Sequence, residues 1–300
     1  MKFTLADRRL KWLLLGILSV IWGSSFILMK RGLFQDGEPA LTPMQLASAR
    51  LFIAWVVLSP LLFRHAGLLR AHWKPLLGTA LAGNGIPAFL FAVAQSRIDS
   101  SLAGMLNTLS PLFTLLVGVL LFGVRTRFIN VVGVLLGLFG ALGTIYFRQA
   151  GDAPVWTVYA VLPILGAVCY GFSGNIVKSG LYMVPATAIS ALAISIVGPL
   201  GLVGIILTDL PGTLATVPHA WHALGYVTIL AVFGTGLSLI LWNILIKLTS
   251  AVWAASVTYV MPIVAIGWGL LDGEVLRPMQ LAMVGTILLG VYLVNKGTDR

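Results

Sequence analysis

The 300-residue chain predicts an all-α integral membrane protein of ten transmembrane helices, built as two inverted five-helix repeats. Three observations carry that expectation. Hydrophobic residues make up 59% and charged residues 9%, with mean hydropathy +1.00. A soluble domain carries roughly 25% charged residues to cover its surface, so lipid must face much of this chain. Next, Trp22–Leu33 reads WGSSFILMKRGL and Tyr170–Leu181 reads YGFSGNIVKSGL. At a spacing of 148 residues they share Gly, Ser, Lys, Gly and Leu, with Trp22 opposite Tyr170. Finally, basic residues divide unevenly between the two sides of the expected spans.

Taken in order, apolar stretches of about 20 residues follow one another with short polar breaks. The first runs Leu10–Lys30. Arg8, Arg9 and Lys11 ahead of it would suit a signal peptide, but the apolar run is too long and no small-x-small cleavage site follows. It is a retained span. Pro43–Phe63 opens on a proline, which suits a first helical turn. Lys74–Ser96, Ser100–Phe122 and Phe128–Phe147 complete the first unit, residues 1–150. Val155–Lys178, Pro185–Leu207, His219–Lys247, Ser250–Leu271 and Pro278–Asn295 form the second, residues 151–300.

With the N-terminus inside, thirteen of the nineteen Lys and Arg fall on inner segments, five on outer ones, and Arg50 within the second span. Seven of the nine acids fall outside. This bias places both termini in the cytoplasm. It also gives the net charge of +10 a membrane explanation, and no polar domain exists to carry nucleic acid. The single Cys169 excludes an internal disulfide and suits a small buried apolar position.

The duplication extends further. At a spacing of 151, Gly83-Asn84-Gly85 matches Gly234-Thr235-Gly236, Phe91 matches Trp242, and Pro111 matches Pro262. LLFG ending at Gly123 matches LLDG ending at Gly273. Five spans per unit is an odd number, so the second unit enters the membrane upside down. Inverted repeats are a carrier architecture, in which two halves rock about a site at their interface.

The early WGSSF, the run Ala49–Ala54 (ARLFIA) and the repeated proline-bearing fourth and ninth spans resemble the EamA family of the drug/metabolite transporter superfamily. The resemblance covers essentially the whole chain. It implies an inner-membrane carrier, usually an exporter of amino acids, related metabolites or drugs, with a central cavity between the halves. A lipid-carrier or headgroup flippase of the same superfamily is the alternative. The family often carries Gly-Glu-Arg after the fourth span and Gly-Glu after the ninth. Gly273-Glu274 fits, whereas the first unit reads Gly123-Val124-Arg125.

Candidate site residues follow from cost. An Arg inside a span is expensive, so Arg50 either anchors a substrate carboxylate or serves structure by binding helix-end carbonyls or snorkelling outward. Gly83, Gly85 and Pro87, with Gly234 and Gly236, predict interrupted spans at matching places, the sequence mark of a midplane site; close helix packing is the other reading. Asn84, Asn107, Asn175, Thr235 and Asn243 are polar groups in apolar spans, either cavity lining or interhelical hydrogen bonding. Trp22, Trp242, Trp253 and Tyr259 lie deep enough to stack on a solute, or to pack in the core. Trp12, Trp73, Trp156 and Trp221 stand at span ends, as an interface belt does.

No acid occupies the middle of a span, which disfavours a proton relay and organic-cation transport and leaves neutral, zwitterionic or aromatic solutes. His219 and His222 have helical metal spacing without a third ligand, so no metal is expected. No cofactor motif is present. An intramembrane enzyme would need a buried nucleophile–base pair or metal motif, and the sequence has neither. The partners expected are a small-molecule solute and the lipid bilayer. Gly133 and Gly137 have GxxxG spacing, which permits a homodimer without requiring one.

Overall fold

The computed structural model describes residues 5–147 and 155–298. Lys2, Arg148, Asp152 and Arg300, which are among the charges counted for orientation, lie outside these residues, as do the side chains of Trp156 and Tyr259. Among the described residues the chain is helical apart from one two-stranded hairpin and short connections. Seven helical stretches are long and apolar enough to cross a membrane: Arg9–Leu33, Pro43–His65, Gly67–Gln95, Ser100–Phe122, Val158–Gly180, Ala186–Leu207 and Ala220–Leu248. Three shorter apolar helices, Phe128–Thr144, Met261–Leu271 and Pro278–Val294, join them.

Helix α1 (Leu5–Leu33) ends in Lys30 and Arg31, cations that suit a helix C-terminus. It runs into a hairpin of β1 (Phe34–Gln35) and β2 (Glu38–Pro39), registered Phe34 to Pro39 and Gln35 to Glu38. The turn is Asp36-Gly37, both at positive φ (51° and 87°), the chemistry of a two-residue hairpin. Helix α2 (Pro43–His65) opens on a capping box: Thr42 Oγ1 accepts from Gln45 N at 3.2 Å, and Gln45 Oε1 accepts from Thr42 N at 2.9 Å. Gln45 Nε2 also donates to Thr208 O at 2.9 Å and Thr213 Oγ1 at 2.7 Å, fastening α2 to the far end of a later helix.

The third stretch comprises α3 (Gly67–Ala80), a π turn (Leu81–Gly85) and α4 (Ile86–Gln95). Its eighth counterpart comprises α11 (Ala220–Ile229), a π turn (Leu230–Leu237) and α12 (Ser238–Leu248). Both Gly-rich segments interrupt the regular α-helix without ending it. Each widens, with Ile86 N bonding Leu81 O and Ser238 N bonding Phe233 O, five residues back. An extra residue in the turn relieves the Pro87 ring and its missing N–H without ending the helix. The glycines also admit neighbouring helices. A Cβ on Gly83 would stand 2.4 Å from Ser173 Oγ, and one on Gly234 2.8 Å from Ser25 Oγ.

The fourth stretch kinks between α5 (Ser100–Asn107) and α6 (Ser110–Phe122), where Pro111 opens the second piece. After α7 (Phe128–Tyr146) come α8 (Val155–Gly180), α9 (Ala186–Leu207) and the short α10 (Leu210–Thr216). The ninth kinks likewise through α13 (Ala251–Ala255), a 3₁₀ turn (Ser256–Tyr259) and α14 (Met261–Leu271), with Pro262 in the same role; α15 (Pro278–Thr298) follows.

Packing repeats with the sequence. α2 lies against α9 and α7 against α15; α6 meets α8 as α14 meets α1; α4 meets α8 as α12 meets α1. The small-residue stripe of α7 is used within the chain. A Cβ on Gly133 would stand 2.5 Å from Gly290 O on α15, and one on Gly137 2.0 Å from Leu112 on α6. Trp12 and Trp221 are 61% and 67% exposed near helix ends, where the sequence placed an interface belt.

Candidate functional site

A cavity of about 100 Å³ opens where these contacts converge, room for several waters or one small solute. Its walls come in pairs at the repeat spacing. Trp22 and Tyr170 face it from α1 and α8, and Phe91 and Trp242 from α4 and α12. Trp22 lies against Trp242 with ring centroids 5.2 Å apart, while Phe91 stacks on Tyr170 at 6.0 Å and 20°. Ser25 and Ser173, Gly83 and Gly234, Asn84 and Thr235, and Asn107 and Thr258 also line it. The polar pieces therefore lie on both sides of an otherwise apolar chamber.

Arg50 reaches this chamber from α2. Its Nε donates to Thr235 Oγ1 at 2.8 Å, across to the π turn of the other unit. That geometry is neither a snorkel to the helix end nor a cap on helix carbonyls. Trp22 Nε1 donates to Ser238 Oγ at 3.0 Å and Gly234 O at 3.2 Å, fixing the indole against the second π turn. Asn243 Nδ2 donates to Ser190 Oγ at 3.0 Å and Leu239 O at 2.9 Å.

Of the residues singled out from sequence, Arg50, Trp22, Asn84, Asn107, Thr235, Trp242 and Asn243 line the cavity, with Gly83 and Gly234. Gly85, Pro87 and Gly236 shape the π turns from outside it. Asn175 is displaced from the expected site: its Nδ2 donates to Thr114 O and Gly171 O, both at 2.8 Å, binding α8 to α6. Trp253 packs on Trp12 at 5.4 Å, under Lys11. Tyr170 and Phe91 were missed as wall residues, although the alignment of the repeats pairs them with Trp22 and Trp242.

Two polar clusters lie toward opposite ends of the bundle. At one, Lys30 Nζ lies 2.6 Å from Asp272 Oδ2 and 2.9 Å from Glu274 Oε1, and Arg31 pairs with Asp272. Glu274 Oε1 accepts from Ser100 N at 3.1 Å and Ser100 Oγ at 2.7 Å, and its Oε2 from Ser101 N at 3.1 Å. The carboxylate thus caps the N-terminus of α5, where a negative charge is favoured. Burial pushes the Glu274 carboxyl up, but hydrogen bonds from Ser101, Ser100 and Lys30 and the Lys30 charge outweigh it and hold the group below the usual carboxylate range. At the other end, Lys178 Nζ donates to Ile246 O at 3.2 Å and to Thr249 O. Lys178 thus sits beside the turn that leads to Trp253, which packs on Trp12 near the start of α1. Lys11 and Lys30 lie about 28 Å apart along α1 at 1.5 Å per residue, so the two clusters sit at opposite ends.

A bundle of apolar helices around a central, partly polar chamber defines the class: a membrane transporter. The sequence matches the EamA-like transporter family twice, over residues 10–146 and 157–296, and the chain belongs to that family. It is 31% identical over 294 residues to YedA, an uncharacterized inner membrane transporter of Escherichia coli strain K12, covering 93% of this chain and 89% of the relative. It is 23% identical to an uncharacterized transporter of Archaeoglobus fulgidus, covering 95% of this chain and 98% of the relative. A solved crystal structure with 20% identity shares the fold at a TM-score of 0.65, covering 94% of this chain and 95% of that one.

Proposed function

We propose that this protein is a carrier, exporting small metabolites across the bacterial inner membrane by alternating access of two inverted five-helix repeats, residues 1–150 and 151–300. The observation that carries the reading is the cavity, whose walls are drawn from both units in pairs at the repeat spacing. A site shared by two related halves can face either side as one half rocks against the other. The two family matches, one per unit, and the paired helix contacts support the same plan. In this reading the three shorter apolar helices also cross, giving ten spans with both termini cytoplasmic. Arg50, Trp22, Asn84, Asn107, Thr235, Trp242 and Asn243 form the solute site, and the π turns holding Gly83, Gly85, Gly234 and Gly236 are where the halves flex. The Lys30 cluster then closes the outer end and the Lys178 cluster the inner.

Counterflow into liposomes holding the purified protein tests the proposal. Preloaded amino acids, organic acids or nucleosides should drive saturable uptake of their labelled forms, and Gly83→Leu, which wedges a side chain against Ser173, should abolish it. Absence of exchange for every solute class, beside protein shown to be folded, would overturn the carrier reading.

A further inference from the structure

We infer that the cavity takes a small organic carboxylate with a planar, apolar body, and turns away organic cations. This rests on the carrier reading above and adds the substrate class. Several wall residues have a partner of similar character in the other unit, but Arg50 has none. Aligned on Pro43 and Pro185, which also matches Ser48 with Ser190 and Ala49 with Ala191, Arg50 corresponds to Leu192, an apolar buried residue. The chamber therefore carries a single, one-sided cation.

Among the described residues, Arg50 has one hydrogen-bond partner, Thr235, bound through Nε. No Asp or Glu is among the lining residues. That bond leaves the terminal N–H groups of the guanidinium, a planar fork, without a counter-ion among the described residues. A desolvated cation is costly unless paired, and a carboxylate matches that fork in a bidentate way. An ammonium would meet the same positive charge with no acid to hold it.

The walls add shape: Trp22 against Trp242 and Phe91 stacked on Tyr170 offer flat apolar surfaces that favour a planar body.

The test measures binding to the purified protein in lipid nanodiscs by calorimetry and by quenching of tryptophan fluorescence. The probes are 4-hydroxyphenylacetate, its amide and tyramine, which share a ring and hydroxyl but differ in charge. The acid should bind at least about tenfold more tightly than the amide, as a charge-assisted pair requires, and tyramine should not compete. Arg50→Gln should weaken the acid by about 10–100-fold and leave the amide nearly unchanged, with Arg50→Lys in between. Equal or tighter binding of tyramine would overturn the inference, as would acid binding indifferent to Arg50→Gln. If that variant does not fold, acid against amide on the unaltered protein decides alone. Binding of none of the three also sinks the carboxylate class, and counterflow of another solute would then show that the carrier reading stands without it.

Discussion

Lys30 and Lys178 occupy the same place in the duplicated motif, 148 residues apart, yet they are held by different means. Lys30 sits between two carboxylates, one of which also caps α5. Lys178 reaches no carboxylate among the described residues; it donates to the carbonyls of Ile246 and Thr249 and lies over the Tyr182 ring. The backbone is similar at the two positions: each follows a glycine at positive φ, 81° and 66°, and folds back on its helix end, Glu274 N to Gly269 O at 2.9 Å and Val124 N to Gly118 O, one residue further back, at 3.0 Å. What differs is the side chain, an acid at position 274 and valine at position 124. Duplication has preserved packing while charge has been placed on one side only. The two ends of a carrier need not be equally hard to open.

The largest effect expected from breaking this difference is at Glu274. Glu274→Ala leaves Lys30 short of a charge and two backbone N–H groups of α5 uncapped. Losing one partner of a buried pair costs about 3–5 kcal/mol; because Lys30 is partly exposed, a loss of about 2–3 kcal/mol is expected here. Thermal unfolding in detergent should show it, with the corresponding Val124→Ala change costing less.

Val124→Glu sharpens the comparison from the other side. It supplies the missing acid, and a double-mutant cycle with Lys178→Met should give a coupling of about 1 kcal/mol. A coupling of zero would mean that the two ends are not built alike.

Third in size is the steric pair. Gly83→Ala and Gly234→Ala should each cost about 1–3 kcal/mol of overpacking. Gly83→Ala should cost more, since its Cβ would lie 2.4 Å from a serine hydroxyl rather than 2.8 Å. Equal melting points for the two variants would remove that distinction.

The smallest effect is on pH. The Glu274 carboxyl titrates below its ordinary range, so its contribution is fully present above that range and is lost as pH falls through the depressed value. Stability of the unaltered protein should therefore be flat near neutrality and decline only in acid, and Glu274→Gln should flatten the acid limb.

Much of this was legible in the sequence, for specific reasons. Repeat spacing depends on residue identity alone, so the pairing of Trp22 with Tyr170, Phe91 with Trp242 and Pro111 with Pro262 could be found without coordinates. Followed through, it would have added Tyr170 and Phe91 to the wall. The π turns were not legible, because Gly-Asn-Gly before Pro87 is equally compatible with a broken helix and a widened one, and packing against Ser173 decides. Asn175 could not be placed because an amide in an apolar span serves a cavity or a neighbouring helix equally well, depending on helix rotation. The Asp36-Gly37 hairpin carried a clear local signal that the search for spans passed over. The ion pairs of Lys30 cross more than 240 residues, and no local spacing encodes them.

The central claim is that the two ends open in alternation about one cavity. The direct measurement is pulsed electron–electron resonance on a Cys169→Ser background, with spin labels at exposed positions across each end. Asp36 and Val275 serve the Lys30 end, and Arg125 and Met183 the Lys178 end. The account predicts that Glu274→Gln lengthens the first distance while the second stays short or shortens. Both distances lengthening together, or neither responding, would contradict it.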